Sequence, residues 1–232
     1  MKLKKIHGWR VTVPRAQEIQ KDLSCRIITR NELGPVRLVA GVDISGELGD
    51  GKSRGAVVIF SYPQMELLEV KTAERKTTFK YKPGFLSFRE IPVITSAWEK
   101  VVLEPDLVLV DGQGLAHPRR FGLASHLGLL LDIPTIGCAK SRLTGKFSPP
   151  EKSAGSFTFL TDNDEIVGAA LRTRDGGSPL FISIGYKIDL KSSIRWVLQC
   201  CRGYRLPEPT RLAHKAASGL IKDFEPTRQQ ND

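Results

Sequence analysis

The chain has 232 residues, a length that suits one domain, and 41% of them are hydrophobic, an ordinary share for a globular protein. No apolar run reaches the roughly 18 residues of a membrane span, and the basic start from Met1 to Arg10 lacks the apolar stretch of a secretory signal. A net charge of +10 favours a polyanionic partner without identifying one. We therefore expect a cytoplasmic domain that does not bind membranes.

The cysteines indicate a reducing compartment and no zinc site. None of the four forms a CxxC pair, the usual signature of a zinc ligand set; they are Cys25, Cys138, Cys200 and Cys201. Adjacent Cys200 and Cys201 lie in an apolar stretch, which predicts core thiols.

The first third of the chain predicts a helix followed by an antiparallel meander. Residues 14–24 place Ala16, Ile19 and Leu23 on one helical face, with Pro14 suited to the first turn. The predicted strands are Val36–Ser45, Arg54–Ser61 and Glu66–Ala73. Glycines between the first two and Pro63 between the next two mark turns too short for crossover connections, so the strands should pair antiparallel.

The rest of the chain alternates strands and helices. A loop that contains glycine and proline, Phe79–Phe88, comes first. The elements predicted after it are, in chain order, helix Arg89–Val102, strand Asp106–Asp111, helix Arg120–Leu131, strands Pro134–Ala139, Ile166–Arg172 and Leu180–Gly185, and helices Leu190–Cys201 and Thr210–Phe224. A meander that merges into a parallel α/β half predicts a mixed central sheet flanked by helices, in a single domain over residues 1–232.

Two aspartates occupy the ends of predicted strands. Asp43 follows Leu-Val-Ala-Gly-Val, and Asp111 follows Leu-Val-Leu-Val. A carboxylate in an apolar run is costly to bury unless it is paired or bound to a metal, and hard divalent cations prefer such oxygen ligands. A single aspartate at a strand end is usually a helix cap or turn former, so the inference rests on the pair together with Glu90 on the intervening helix. Acids on the first and fourth strands and on a helix resemble the metal site of the ribonuclease H-like fold.

Three segments carry a resemblance to a known family: VAGVDIS around Asp43, GFLSFRE ending at Glu90, and the long segment from Leu107 to Gly145. Together they resemble the endonuclease V family, over about Arg10 to Phe224. The resemblance implies a ribonuclease H-like enzyme that uses Mg²⁺, or Mn²⁺ in its place, and we expect the chain to be a monomer. It also implies hydrolysis of the second phosphodiester bond on the 3′ side of deoxyinosine, leaving a 3′-hydroxyl and a 5′-phosphate.

The same resemblance assigns roles to single residues. Asp43, Glu90 and Asp111 match the metal-binding acids of the family. Lys140 and His214 match its accessory catalytic residues. Without the family, Lys140 would be an ordinary exposed lysine and His214 a structural histidine on a terminal helix.

A second group of residues is expected to form a pocket for the damaged base. Turn chemistry explains most glycines, but here close backbone approach to a flat, extracted base is the functional interpretation for Gly84, Gly112, Gly114 and Gly137. Hypoxanthine presents an O6 acceptor and an N1–H donor, and adenine presents the reverse, so fixed backbone groups could separate them. Wall residues implied by the resemblance are Leu86, His117 and Leu143, although His117 could equally be a loop histidine with a local hydrogen bond. Pro83 is expected to contact the substrate beside them.

Tyr81 matches the aromatic wedge that fills the gap beside the extracted base. The family usually has Pro-Tyr-Ile-Pro at this place, whereas this chain has Lys80-Tyr81-Lys82-Pro83. The two lysines should strengthen contacts with the phosphate backbone of the nucleic acid. Because Lys80 stands in place of a proline, the wedge should also be less rigid.

Three alternatives stay open from the sequence. The substrate could be RNA as well as DNA, because no 2′-hydroxyl reader is recognisable. Another ribonuclease H-like nuclease would need the same acids but no base pocket. A catalytically silent inosine-binding protein would have no need of the complete acid set.

Overall fold

A mixed sheet with helices on both faces organises residues 3–46 and 48–225, the part of the chain that the computed structural model describes. Its strands are β1 (Leu38–Ile44), β2 (Lys52–Ser61), β3 (Leu67–Lys76), β4 (Leu107–Val110), β5 (Thr135–Ala139), β6 (Phe157–Asp162), β7 (Glu165–Leu171) and β8 (Leu180–Tyr186). Its helices are α1 (Val13–Ser24), α2 (Leu86–Trp98), α3 (Leu123–Leu131), α4 (Leu190–Gln199) and α5 (Glu208–Ala217). The predicted domain over residues 1–232 also includes residues 1, 2, 47 and 226–232, which lie outside the described residues.

The strand order β3-β2-β1-β4-β5-β8-β7-β6 confirms the predicted mixed sheet. The first three strands form the antiparallel meander, and β4 and β5 continue the sheet in parallel with β1. Val42 on β1 lies opposite Val110 on β4. The residues that follow these two valines, Asp43 and Asp111, therefore reach the same edge of the sheet side by side.

Two glycines allow helices to cross the sheet at very short range. A Cβ on Gly41 of β1 would lie 2.1 Å from the carbonyl oxygen of Pro209, and a Cβ on Gly55 of β2 would lie 2.8 Å from that of Val93. The second contact seats α2 on one face, where α3 also packs. The first seats α5 on the opposite face, where α4 packs beside it.

Two predicted helix starts were wrong. Helix α2 begins at Leu86 instead of Arg89, because Phe88 and Ile91 share a fully buried face that extends the helix toward the preceding loop. Helix α3 begins at Leu123 instead of Arg120, because Arg120 has a φ of 53° and Gly122 occupies the N-cap. A left-handed residue is incompatible with the first turn of a helix.

Two predicted helix ends were too late by four residues or more. Helix α2 ends at Trp98 and not Val102, because the backbone N–H groups of Val102 and Leu103 donate to the buried carboxylate of Glu69. Helix α5 ends at Ala217, and the chain turns at Gly219 with a φ of 79°. Phe224, predicted as its last residue, instead pairs as an isolated bridge with Val70.

Strand β6 was not predicted. Its sequence, Phe-Thr-Phe-Leu-Thr-Asp, is rich in residues that favour strands, but it is an edge strand that leaves Phe157 and Phe159 exposed. The cysteine prediction is confirmed for Cys200, which is buried, whereas Cys201 is half-buried; both are free thiols. No helix among the described residues is long and apolar enough to cross a membrane.

Candidate active site

The two aspartates at the ends of β1 and β4 form the centre of the site. The Asp43 side chain is almost fully buried, and its Oδ1 accepts a hydrogen bond of 2.8 Å from the backbone N–H of Ile44. Burial first, and then the negative charge of Asp111, raise the pKa of Asp43 from 3.8 to about 6. A buried carboxylate whose ionisation is opposed by burial and by a neighbouring negative charge provides a strong attraction for a cation.

His214 on α5 completes a set of possible metal ligands. Its Nδ1 lies 2.7 Å from Asp43 Oδ2. One ligand atom from each of Asp43, Asp111 and His214 can be chosen so that all three lie within 4.8 Å of one another. The two carboxylates suit a hard divalent cation such as Mg²⁺ or Mn²⁺, whereas an imidazole nitrogen is not a usual ligand of Mg²⁺.

Glu90, which the sequence predicts as the third acidic ligand, is not in this group of three. It lies near the start of α2, on the other face of the sheet from His214. Burial raises its pKa well above the usual value of 4.5, and the charges of Asp43 and Asp111 raise it further. Glu90 therefore acts electrostatically on both aspartates, and its role as the third metal-binding acid stays a prediction.

Lys140 follows β5 directly, and its Nζ lies 2.5 Å from Asp111 Oδ2. The position of Lys140 is fixed by a residue that the sequence did not suggest. Nη2 of Arg205 donates to the carbonyl oxygens of Lys140, at 2.5 Å, and of Pro179, at 2.7 Å. No local pattern marks Arg205, because it lies in a connection between helices and approaches the site only through the tertiary fold.

A cavity of about 290 Å³ opens beside these residues. Among the residues that line it are nine of the predicted site residues, namely Tyr81, Pro83, Gly84, Leu86, Asp111, Gly112, His117, Lys140 and Leu143. Because Asp111 and Lys140 belong to its wall, the cavity is continuous with the aspartate pair.

Gly114 and Gly137, also predicted for the pocket, are not among these lining residues. A Cβ on Gly114 would lie 1.9 Å from the carbonyl oxygen of Ile184, and one on Gly137 would lie 2.7 Å from that of Gly112. Both glycines therefore permit close packing of backbone beneath the cavity.

The carbonyl of Gly84 is held by three side chains at the cavity wall. It accepts hydrogen bonds from Gln20 Nε2 at 3.0 Å, His117 Nε2 at 2.9 Å and Arg119 Nη2 at 2.6 Å. Because His117 Nδ1 accepts from the backbone N–H of Arg119, the hydrogen-bond pattern assigns the His117 proton to Nε2. Burial lowers the pKa of His117 to about 4, so the ring is neutral.

Gln20 and Arg119 were missed by sequence reasoning. A glutamine buried on the apolar face of α1 is the signal that could have identified Gln20. Arg119 lies within the segment from Leu107 to Gly145 that resembles the family, but no sequence pattern distinguishes it from other arginines.

Tyr81 projects from the rim of the cavity with 70% of its surface exposed. A tyrosine this exposed does not pack beneath a surface loop, which leaves its ring free to contact a nucleotide. Lys82 turns toward the Phe85 ring, with its Nζ 5.8 Å from the ring centroid.

Comparisons with known proteins converge on one family. The Endonuclease V family model matches residues 21–215. Endonuclease V from Dehalococcoides mccartyi is 51% identical over 221 residues, which cover 95% of this chain and 99% of that protein. The structure of Endonuclease V from Bacillus subtilis has a TM-score of 0.90 and 32% identity, covering 95% of this chain and 97% of that one. Endonuclease V from Ciona intestinalis, in complex with a 23mer DNA containing an inosine followed by a ribo-adenosine, has a TM-score of 0.79 and 29% identity, covering 90% of this chain and 98% of that one.

Proposed function

This chain belongs to the Endonuclease V family of DNA repair endonucleases, and we propose that it hydrolyses the second phosphodiester bond 3′ to deoxyinosine, leaving a 3′-hydroxyl and a 5′-phosphate. One observation carries the proposal. Asp111 and Lys140 line a cavity of about 290 Å³ that can admit one extracted base, and Asp43 and His214 lie beside Asp111. A reactive centre beside a base pocket fits cleavage at a short distance from a recognised lesion.

The donor set fits a divalent metal. Asp43 and Asp111 would hold Mg²⁺, with Mn²⁺ as a substitute; His214 would lie beside the metal, and Glu90 would contribute its charge from the other face of the sheet. When bound, the metal supplies activation of a water molecule and neutralisation of the leaving oxygen. The raised pKa of Asp43 supports this assignment, because a cation relieves the repulsion that raises it.

Lys140 and His214 act on either side of the reacting phosphate. The ammonium of Lys140 lies against Asp111 and can neutralise a non-bridging phosphate oxygen as negative charge develops. Asp43 orients the ring of His214 through Nδ1, and the His214 side chain remains half exposed, so the ring can take or return a proton near the attacking water.

The cavity wall supplies groups that can discriminate between bases. Helix α2 starts at the wall with no side-chain cap, and its first residues, Leu86 and Ser87, both line the cavity. The first N–H groups of a helix have no partner within it. They can donate to O6 of hypoxanthine, whereas the 6-amino group of adenine cannot accept such a bond. Guanine shares the O6 and N1–H pattern of hypoxanthine, so its rejection would need a wall group in contact with the 2-position of the base.

The test is to map the cut on matched DNA and RNA strands that each carry one inosine. The proposal predicts a single nick at the second bond 3′ to the inosine in DNA, with Mg²⁺ required. A cut at another position, or cutting that ignores inosine, would contradict it. Faster cutting of the RNA strand would make the endoribonuclease alternative the main activity. A monomeric state and a cytoplasmic location remain predictions from the sequence.

A further inference from the structure

An exposed aromatic residue lies in the connection between α4 and α5. Tyr204 is 52% exposed, and the guanidinium carbon of Arg211 lies 4.2 Å from the centroid of its ring. Arg211 is in turn bound through two hydrogen bonds to Glu208, one of them 2.8 Å from Nε to Oε2. The ring is therefore held in place by a braced cation while much of its surface remains open.

Two contacts place Tyr204 close to the metal ligands. Its neighbour Arg205 donates to the carbonyl of Lys140, and Arg211 precedes His214 by one turn of α5. Both α4 and α5 pack on the face of the sheet opposite to α2 and α3. The base cavity begins at α2 and α3, so the aspartate pair lies between the cavity and Tyr204.

If the protein has the proposed function, the positions of the cavity, the aspartate pair and Tyr204 define the path of the bound strand. Inosine in the cavity and a cut on its 3′ side require the strand to run 5′ to 3′ from the cavity to the aspartate pair. A strand that continues in this direction passes over the sheet edge onto the face that carries α4 and α5.

We propose that Tyr204 is a second nucleotide-binding site, which stacks on a base 3′ of the cleaved bond. A tyrosine ring accepts any base, because every base has a flat face. Arg211 is a positioning residue that holds the ring. Its charge is compensated by Glu208, so it does not need a phosphate partner.

The test measures binding to single strands that carry one inosine and end two, four, six or eight nucleotides beyond it, with EDTA present to prevent cleavage. For the wild type, affinity should rise in a step as the 3′ end grows past the cleaved bond. Tyr204→Ala should remove this step, an effect of about 5- to 100-fold on the longest strand, and leave the shortest strand unchanged. Tyr204→Phe should keep the step. The matched control is Phe159→Ala, which removes an aromatic side chain of similar exposure on the distant edge strand and should change nothing.

The positioning role of Arg211 has its own result. Arg211→Met should reduce the step, and adding it to Tyr204→Ala should cause no further loss. Additive losses would overturn the positioning role. An equal loss at every strand length, or a loss only when the 5′ end is shortened, would overturn the Tyr204 site. These outcomes differ from failure of the proposed function, which would appear as a wild type that does not distinguish inosine from adenosine.

Discussion

Gly41 and Pro209 touch where β1 meets α5, with only 2.1 Å between a Cβ built on Gly41 and the carbonyl oxygen of Pro209. Any side chain at position 41 would push the first turn of α5 away from the sheet. The same helix carries His214, whose Nδ1 lies 2.7 Å from Asp43 Oδ2, two residues beyond Gly41 on β1. The approach of the two backbones therefore sets the distance between His214 and Asp43.

We predict that Gly41→Ala lowers the free energy of unfolding by about 1–3 kcal/mol, as overpacking of a tight core does. Cleavage should fall by at least tenfold even at temperatures where the variant is fully folded, because His214 is displaced. Urea unfolding and single-turnover cleavage check the two effects. Gly34→Ala is the control, since a Cβ there has no atom within 4 Å. Wild-type stability and rate in Gly41→Ala would show that α5 can shift without cost.

The pKa of Asp43 predicts how metal and pH act on stability. Its folded-state pKa is about 6 and its ordinary value is 3.8, so ionised Asp43 opposes folding. Without metal, its contribution is most favourable at low pH and is lost as the pH rises from about 4 through about 6. Mg²⁺ should therefore raise the melting temperature more at about pH 7.5 than at about pH 5, where the proton competes with the metal.

Two variants provide the matched comparison in metal-free buffer. Asp43→Asn should gain stability over the wild type as the pH rises through about 6, because it removes the ionisation that is penalised. Asp50→Asn should not, because a hydrogen bond from Lys52 lowers the pKa of Asp50 and so gives the opposite sign. If Mg²⁺ stabilised the protein equally at both pH values, the aspartate pair would not be its binding site.

Tyr81 should contribute to discrimination and not to the chemical step. Extraction of a base costs a few kcal/mol, and an aromatic ring in the vacated space offsets roughly 1–3 kcal/mol of it. Tyr81→Ala should therefore reduce the ratio of inosine to adenosine cleavage by about 5- to 100-fold, whereas Tyr81→Phe should be mild. Competition assays with both strands measure this ratio.

The lysines beside Tyr81 are the control for charge. Neutralising Lys80 and Lys82 together should weaken binding to both strands alike. It should also reduce the slope of the logarithm of the binding constant against the logarithm of the salt concentration by up to about two. A Tyr81→Ala variant that lost thermal stability but kept its inosine preference would show that Tyr81 does not act as a wedge.

The three donors to the Gly84 carbonyl, Gln20, His117 and Arg119, form a clamp that should determine how firmly the cavity wall is held. Gln20→Met removes one of its three donors and also the acceptor for Arg119 Nε, which lies 2.6 Å from Gln20 Oε1. We expect a stability loss of about 1–2 kcal/mol and a roughly tenfold loss of inosine preference. Glu18→Gln, an exposed change on the same helix, should affect neither. A Gln20→Met variant with reduced stability and full discrimination would show that the clamp is only structural.

The pairing of Asp43 with Asp111 could be predicted because it depends on local patterns. Each aspartate ends an apolar run, and two parallel neighbouring strands bring their ends to one edge. The meander followed from turn lengths for the same reason. The family resemblance then added Lys140 and His214, which the fold does bring to the aspartates.

The parts that could not be predicted depend on contacts across the whole fold. Arg205 reaches Lys140, and Gln20 reaches Gly84, through packing that no sequence period records. Strand β6 was missed; it lies at the edge of the sheet, where its exposed phenylalanines do not contribute to the core. Gly114 and Gly137 resemble pocket glycines in sequence, but in the fold a side chain at either position would meet other backbone.

The most direct test of the central claim is single-turnover cleavage of one labelled DNA strand with a single inosine, beside the same strand with adenosine. The wild type with Mg²⁺ should nick only the inosine strand. EDTA should abolish the nick, and so should Asp43→Ala or Asp111→Ala in variants that still unfold cooperatively, because each removes a ligand of the activating metal. Near-normal turnover in either variant, or equal cutting of the adenosine strand, would contradict a metal-dependent, inosine-directed nuclease centred on these two aspartates.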